Sequence, residues 1–354
     1  MLLGWAGIER ASQLTASTLA GGDVVTAQAR LMRQIAWSVL ALPVALFCAA
    51  QPWACIRRWA SPAYALVLAM LLLVFAMPPV NGAHRWVWLG GISMQPSEPA
   101  KLVLVLALGC RLGRRRPARL ADLLLPLLLA LAPALLILRQ PDLGTAAMLV
   151  MALGWMLIAC HTPWRLLGVL VLCGLCVLPL LWAGMSAEQR SRVTALWRQT
   201  LPEERPAAEG YQLHQAKQVL ALGGKWGSLL APAPAADPAR RHLPEAHTDF
   251  IFVVLAERFG WLGAGGVLLC YMVLVCSLLH AAGWCHDRQA RLFVAGVAGL
   301  FACQALINTA MAVGLLPIVG LALPLVSYGG SSLITHAAAL GLAFAAVRSR
   351  GALA

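Results

Sequence analysis

Long apolar runs, broken only briefly by charge, constrain this chain more than any other feature. They fall near residues 35–50, 63–80, 99–110, 120–138, 143–160, 164–185, 250–280, 292–313 and 320–347. A helix needs about 20 residues to cross a hydrocarbon core of ~30 Å, and most of these runs approach that length. A water-soluble globule of 354 residues could not hide so many apolar side chains. Residues of the set AVILMFWYC make up 60% and charged residues 12%, against roughly 45–50% and about 25% in soluble proteins. The expected fold is therefore an all-α polytopic membrane protein. Pro43, Pro126, Pro133 and Pro179 lie inside the runs, where membrane helices tolerate proline. The first twenty residues are ambiguous, because Glu9 and Arg10 directly follow an apolar start and charge is costly at a bilayer centre.

The net charge is +13, and 24 of the 27 basic residues are arginine. In a soluble chain this would suggest nucleic acid, but here it fits basic loops flanking membrane helices, and no nucleic-acid partner is expected. Arg57, Arg58, Arg111, Arg114, Arg115, Arg116, Arg119, Arg165, Arg288, Arg291, Arg348 and Arg350 occupy alternate loops, twelve charges on one side. The opposite short loops hold Arg30, Arg33, Arg85 and Arg139. The richer side should be cytoplasmic, with the C-terminus on it. The ten cysteines sit almost entirely within apolar runs. Cys173 and Cys176 share a helix face, which suits packing better than redox chemistry.

One connection, residues 186–249, is polar, Pro-rich and too long for a turn. It carries eight basic and seven acidic residues and no cysteine, and its stretch LAPAPAADPA (230–239) reads as linker. It falls on the outer face. No cleavable signal pattern and no internal repeat stand out, so residues 1–354 read as one membrane domain.

Four polar clusters interrupt the apolar background. In the first, NGAHRW (81–86) continues through Gly90-Gly91 to QPSEPAK (95–101); Glu98 and Lys101 would share a helix face. They read equally as an ion pair aiding insertion or as part of a wet cavity. In RQPDLGT (139–145), Asp142 reads first as the cap of the helix that follows. In LPEAHTDFIF (243–252), Asp249 follows His247 where polar chain meets membrane helix, with Glu257 two turns on. A carboxylate there could cap, bind a cation or act as a general base. In GLALPLVSYGGSS (320–332), Pro324, the glycines and Ser327 imply broken or closely packed backbone, which at membrane depth must be buried or line a cavity. Together the clusters suggest a polar cavity opening toward the outer leaflet.

These four segments, with AERFG at 256–260 and PIVG at 317–320, resemble in order and spacing the SEDS family, the polytopic bacterial proteins typified by RodA and FtsW. The likeness runs from about residue 30 to 347. It implies ten transmembrane helices, a large outer loop between the seventh and eighth, and peptidoglycan glycosyltransfer. In that activity lipid II, a lipid-linked disaccharide–pentapeptide, is polymerised into a nascent glycan strand beside a class B penicillin-binding protein. The resemblance assigns Asp249 as the base or hydroxyl-orienting group. It assigns Arg85 and Lys101 as cavity residues able to neutralise pyrophosphate, with Glu98 holding Lys101. Asp142, His247 and Ser327 join the expected substrate-binding set. A divalent cation, Mg or Mn, is implied without identifiable ligands. The setting would be the bacterial cytoplasmic (inner) membrane, with the active site facing outward.

The sequence departs from the family pattern in its charged first helix, at Arg258 in place of a second acid, and at Leu229 in place of a further glycine. PIVG, QPDLGT and the short tails resemble the elongation type; PEAHTDF, YQL and QALIN resemble the division type. Elongation is slightly favoured. A lipid II flippase or a weakly active scaffold for the penicillin-binding partner are the rival readings.

Overall fold

The computed structural model describes residues 1–16, 23–79, 83–89, 92–198, 208–230, 243 and 245–349. Helices dominate: α1 Leu2–Ala16, α2 Asp23–Ala50, α3 Trp53–Arg58, α4 Ala60–Leu73, α5 Ser97–Arg114, α6 Leu120–Arg139, α7 Leu143–Ala159 and α8 Trp164–Gly184. The outer connection adds α9 Ala187–Arg198, α10 Ala208–Gly223 and α11 Gly227–Leu230, and the chain ends with α12 Ile251–Gly283, α13 Arg288–Ala312 and α14 Gly330–Arg348.

Among the described residues, six helices are long and apolar enough to cross a membrane: most of α2, then α6, α8, α12, α13 and α14. Two shorter apolar helices, α4 with the 3₁₀ turn Val74–Ala76 and α7, accompany them. α1 and α5 accompany these eight, and the long connection falls between α8 and α12. Its linker, residues 231–239, lies outside the described residues. The chain is a multi-pass membrane protein.

Two expectations about elements change. The run 320–347 is not one helix: residues 315–329 follow an irregular path and α14 begins only at Gly330. Pro317 and Pro324 withhold donors there, and Gly320 and Leu325 take left-handed φ values of 67° and 62°, which no helix continues through. The sequence also hid a hairpin, β1 Val87–Leu89 and β2 Ile92–Met94, paired antiparallel with Val87 opposite Met94 and Leu89 opposite Ile92. Gly90-Gly91 between two short apolar runs is the signal for it.

The chain forms two compact units, each discontinuous. Unit 1 holds Met1–Leu40, Ser186–Met272 and Gln304–Leu333; unit 2 holds Ala41–Met185, Val273–Cys303 and Ile334–Ala354.

In unit 1, α1 lies against the first turns of α12, and glycine permits close backbone approach. A Cβ on Gly223 would meet Ala256 O at 2.3 Å, and one on Gly227 would meet Arg258 O at 2.3 Å. α12 breaks at Gly260, with φ 70°, where the facing carbonyl of Lys225 leaves no room for a side chain. The charges that seemed to degrade α1 are matched across this contact. Arg10 forms a two-pronged bridge to the buried Glu257 (2.7 and 2.9 Å) and also donates to Ser228 Oγ. Arg258 donates to Ala6 O (2.7 Å) and reaches Glu9 at 3.3 Å. The arginine that departs from the family pattern is thus the partner of the glutamate that departs from it in α1.

In unit 2, α4, α5, α6 and α7 pack side by side around Leu104, Leu108, Leu123, Met148 and Leu149. Gly109 and Gly113 of α5 admit the backbone of Phe293 and Gln289, the small-residue packing that brings membrane helices together. α8 leaves 18 consecutive residues, 167–184, unburied, as a helix facing lipid on all sides would.

Candidate functional site

The polar residues singled out from the sequence divide between the units. Unit 1 holds His247, Asp249 and Ser327. Unit 2 holds Arg85, Glu98, Lys101 and Asp142.

Asp249 stands in a turn, residues 245–250, at the entry to α12. Glu245 takes a left-handed φ of 52°, and its carbonyl gathers the amides of Thr248 (3.2 Å) and Asp249 (3.1 Å). The carbonyls of residues 247, 248 and 249 each accept a donor from elsewhere in the unit. Tyr328 N donates to His247 O (2.9 Å), Ser327 Oγ to Thr248 O (2.5 Å), and Asn308 Nδ2 to Asp249 O (2.9 Å). The donors are held in turn. Ser327 Oγ accepts Leu323 N at 2.8 Å, Asn308 Nδ2 also donates to Leu321 O at 2.6 Å, and Gln304 Nε2 donates to Ala322 O at 2.7 Å. Buried Gln34 of α2 donates to Ser327 O and accepts from Gly329 N. The irregular segment is therefore a brace for the turn: several of its own backbone groups are paired and the three carbonyls around Asp249 are fixed.

The Asp249 side chain is half-buried. Gly320 passes beside it, close enough that a Cβ there would lie 3.5 Å from Oδ2. A carboxylate on a backbone held at three successive carbonyls is preorganised, as proton transfer or hydroxyl orientation requires. His247 packs edge-on against Tyr328, ring centroids 5.5 Å apart. Burial, and secondarily the positive charge of Arg30, lower its pKa below the ordinary value of 6.5, although Glu245 pulls the other way. At neutral pH it is an uncharged imidazole, able to donate and accept a hydrogen bond but not to serve as a cation.

Ser327, expected among the substrate-binding residues, is buried, and its hydroxyl both donates and accepts within the protein, so it helps to position the Asp249 turn. Sequence reasoning missed Gln34, Gln304 and Asn308, which hold the brace. Each is an amide in an apolar helix, Gln304 and Asn308 four residues apart in α13, and a buried amide inside an apolar run was the available signal.

In unit 2, Arg85 precedes the β1–β2 hairpin and donates from Nε to Gln140 O (2.8 Å) and from Nη2 to Pro141 O (2.5 Å). These carbonyls end α6, where the helix dipole favours a cation. The guanidinium stays half-exposed. Lys101 and Glu98, one turn apart on α5, form a buried ion pair at 2.9 Å. Asp142 is the helix cap that its spacing suggested: Oδ1 accepts Thr145 N (3.0 Å) and Oδ2 accepts Thr145 Oγ1 (2.8 Å). Buried, and with both oxygens engaged, it supports the α6–α7 junction instead of presenting a ligand. Asn81, Gly82 and the Gly90-Gly91 turn lie outside the described residues.

Among the described residues no three His, Cys, Asp or Glu side chains come together as metal ligands. The described residues thus offer no all-protein cage of the kind Ca²⁺ takes, whereas Mg²⁺ is held through one or two carboxylates together with substrate phosphates.

The chain is similar to proteins already described. A family model with the description "Cell cycle protein", covering FtsW, RodA and SpoVE, matches residues 2–351. The peptidoglycan glycosyltransferase MrdB of Escherichia coli K12 is 34% identical over 313 residues, spanning 88% of this chain and 83% of that protein. A probable peptidoglycan glycosyltransferase FtsW of Halorhodospira halophila is 39% identical over 330 residues, spanning 88% and 79%. A chain from a structure describing coordination of polymerization and crosslinking by a peptidoglycan synthase complex superimposes with a TM-score of 0.78 at 33% identity, covering 98% of each chain. The crystal structure of the rod shape determining protein RodA of Thermus thermophilus gives 0.69 at 32% identity, covering 99% and 96%.

Proposed function

The chain belongs to the FtsW/RodA/SpoVE family, and from that premise we infer that it is a peptidoglycan glycosyltransferase that polymerises lipid II into glycan strands. The reaction joins a sugar hydroxyl to an anomeric carbon. The new C–O bond forms as the bond from that carbon to the polyprenyl pyrophosphate breaks, with its electron pair leaving on the pyrophosphate oxygen. The hydroxyl proton needs an acceptor, and Asp249 is assigned that role or the orientation of the hydroxyl. The observation that carries the assignment is the bracing of carbonyls 247, 248 and 249 by three separate donors. Nothing of that kind is needed for a simple cap. Arg85 and Lys101 are assigned to offset charge developing on the leaving group, with Glu98 fixing Lys101. Neutral His247 is assigned to a hydroxyl or amide of the substrate. No step is routed through a metal ion.

The acting complex includes a class B penicillin-binding protein as crosslinking partner, and the elongation type is the reading favoured by PIVG and the short tails. The setting is the bacterial cytoplasmic membrane with the Asp249 turn facing outward. The test is polymerisation of labelled lipid II by the purified protein with its partner, wild type beside Asp249→Asn. The variant should lose roughly 10²–10⁴-fold in rate, the span of general-base contributions. Asn caps helices about as well as Asp, so surviving activity would return Asp249 to a capping role. A wild type that makes no polymer but moves lipid II between leaflets would be a transporter.

A further inference from the structure

At the opposite end of unit 2 from the β1–β2 hairpin, a cavity of about 480 Å³ opens where α2 ends, α3 begins, α13 begins and α14 ends. Its lining includes Gln51, Trp53, Arg57, His286, Asp287 and Arg348. No step of the proposed reaction uses it. Asp287 is already committed: Trp53 Nε1 donates to Oδ2 at 2.7 Å, Arg57 lies 3.6 Å from the same oxygen, and Gln289 N donates to Oδ1 at 2.9 Å. Arg57 also reaches Gln289 Oε1 (3.2 Å), and Arg348 donates one nitrogen to Ala50 O (2.8 Å). Two guanidinium groups against one carboxylate leave the arginine and aspartate side chains of the lining with one net positive charge. Each guanidinium carries five N–H donors in a fork suited to phosphate oxygens.

The surroundings indicate where such a phosphate comes from. Gln51 stands one helical turn beyond Phe47, which is 68% exposed, and Arg348 one turn beyond Phe344, which is 62% exposed. Residues four apart share a helix face, so one exposed phenylalanine on each of α2 and α14 sits directly beneath the polar groups. Trp59, between α3 and α4, is 61% exposed, and tryptophan is enriched at membrane interfaces. A polar cavity of net positive charge above two exposed phenylalanines matches an amphiphile with a monoanionic phosphodiester head and acyl tails. Basic pockets between helix ends are known binders of anionic lipid headgroups.

We propose that the cavity bounded by Trp53, Arg57, His286 and Arg348 binds the phosphodiester headgroup of an anionic phospholipid, whose acyl chains lie along Phe47 and Phe344. The full-length protein in neutral detergent would be titrated with phosphatidylglycerol, phosphatidylcholine and soluble glycerol phosphate, reading retained ligand by native mass spectrometry. Phosphatidylglycerol should bind in defined stoichiometry and phosphatidylcholine should not. Arg57→Gln with Arg348→Gln should weaken retention about 25-fold, taking ~1 kcal/mol per basic contact, while Arg116→Gln, on the exposed α5–α6 loop, should leave it unchanged. If the double variant does not fold, Arg348→Gln alone, which gives up a bond to Ala50 O, should weaken it about five-fold by the same measure. Equal loss in the Arg116 variant, or equal retention of phosphatidylcholine, would overturn the site. Saturation by glycerol phosphate at the lipid's own concentration would overturn the lipid source.

Discussion

At the scale of single residues, the Asp249 turn combines a carboxylate with a histidine that the fold keeps uncharged. The lowered pKa of His247 arises from burial first and Arg30 second. A histidine depressed in the folded state contributes stability that is complete above its unfolded pKa, near 6.5, and is lost as pH falls through the folded value. Thermal melting of the purified protein should therefore hold steady from pH 8 to about 6.5 and decline below it, and His247→Asn should remove that limb of the profile. A wild-type melting temperature flat down to pH 5 would show that His247 does not resist protonation. How far residues were legible differs by chemistry. Asp142 was readable as a cap because Asp-x-x-Thr is a local pattern whose partner lies three residues away. Ser327 was less legible, because a hydroxyl in an apolar run is equally a ligand for substrate or a strut, and its bond to the carbonyl of Thr248, 79 residues distant, shows only in the fold.

Among elements, the pairing of α1 with the start of α12 shows what apolar periodicity cannot reveal. Glu9 and Arg10 looked like defects in a membrane span, and Arg258 like a defect in a motif; the contact uses all three. The Arg10–Glu257 bridge is the consequential one, because Glu257 is 2% exposed and stripping a partner from a buried pair costs about 3–5 kcal/mol. Glu9 is half-exposed, and its bridge to Arg258 contributes at most about 1 kcal/mol. Glu257→Gln should lower the melting temperature markedly and Glu9→Gln hardly at all. Arg10→Met combined with Glu257→Met should recover most of the loss, since a packed apolar pair avoids the desolvation of two charges. Equal, small effects of all three changes would mean that α1 is held by apolar packing alone. The other element-scale surprises have a common origin. The hairpin strands are three residues long, and the irregular segment before α14 keeps its apolar composition while Gly320 and the prolines deny it helix. Hydropathy records solvent preference, and both segments share that preference with a helix.

For the molecule as a whole, orientation in the membrane follows from where the arginines gather. The sequence placed twelve of them on alternate loops, and contacts within unit 2 bring those loops to one end. Cys160 Sγ donates to Leu112 O, tying the α7–α8 loop to the end of α5, and Arg288 reaches the same sulfur at 3.4 Å. Arg57 meets Asp287, and Arg348 meets Ala50 O. Arg85 and Arg139 belong to the other end, where the hairpin meets the α6–α7 junction. Basic residues near helix ends are retained on the cytoplasmic side, so the expected orientation puts the C-terminus inside and the 186–249 connection outside. A fluorescent protein fused after Ala354 should fold and glow in cells, and alkaline phosphatase inserted within residues 230–239 should be active. Replacing Arg114, Arg115 and Arg116 by Asn leaves nine arginines against four and should keep that pattern. The reverse pattern in the unaltered protein would place the Asp249 turn on the cytoplasmic face, where polymerisation of a glycan destined for the outside has no acceptor strand, and the glycosyltransferase reading of that turn would fail with it.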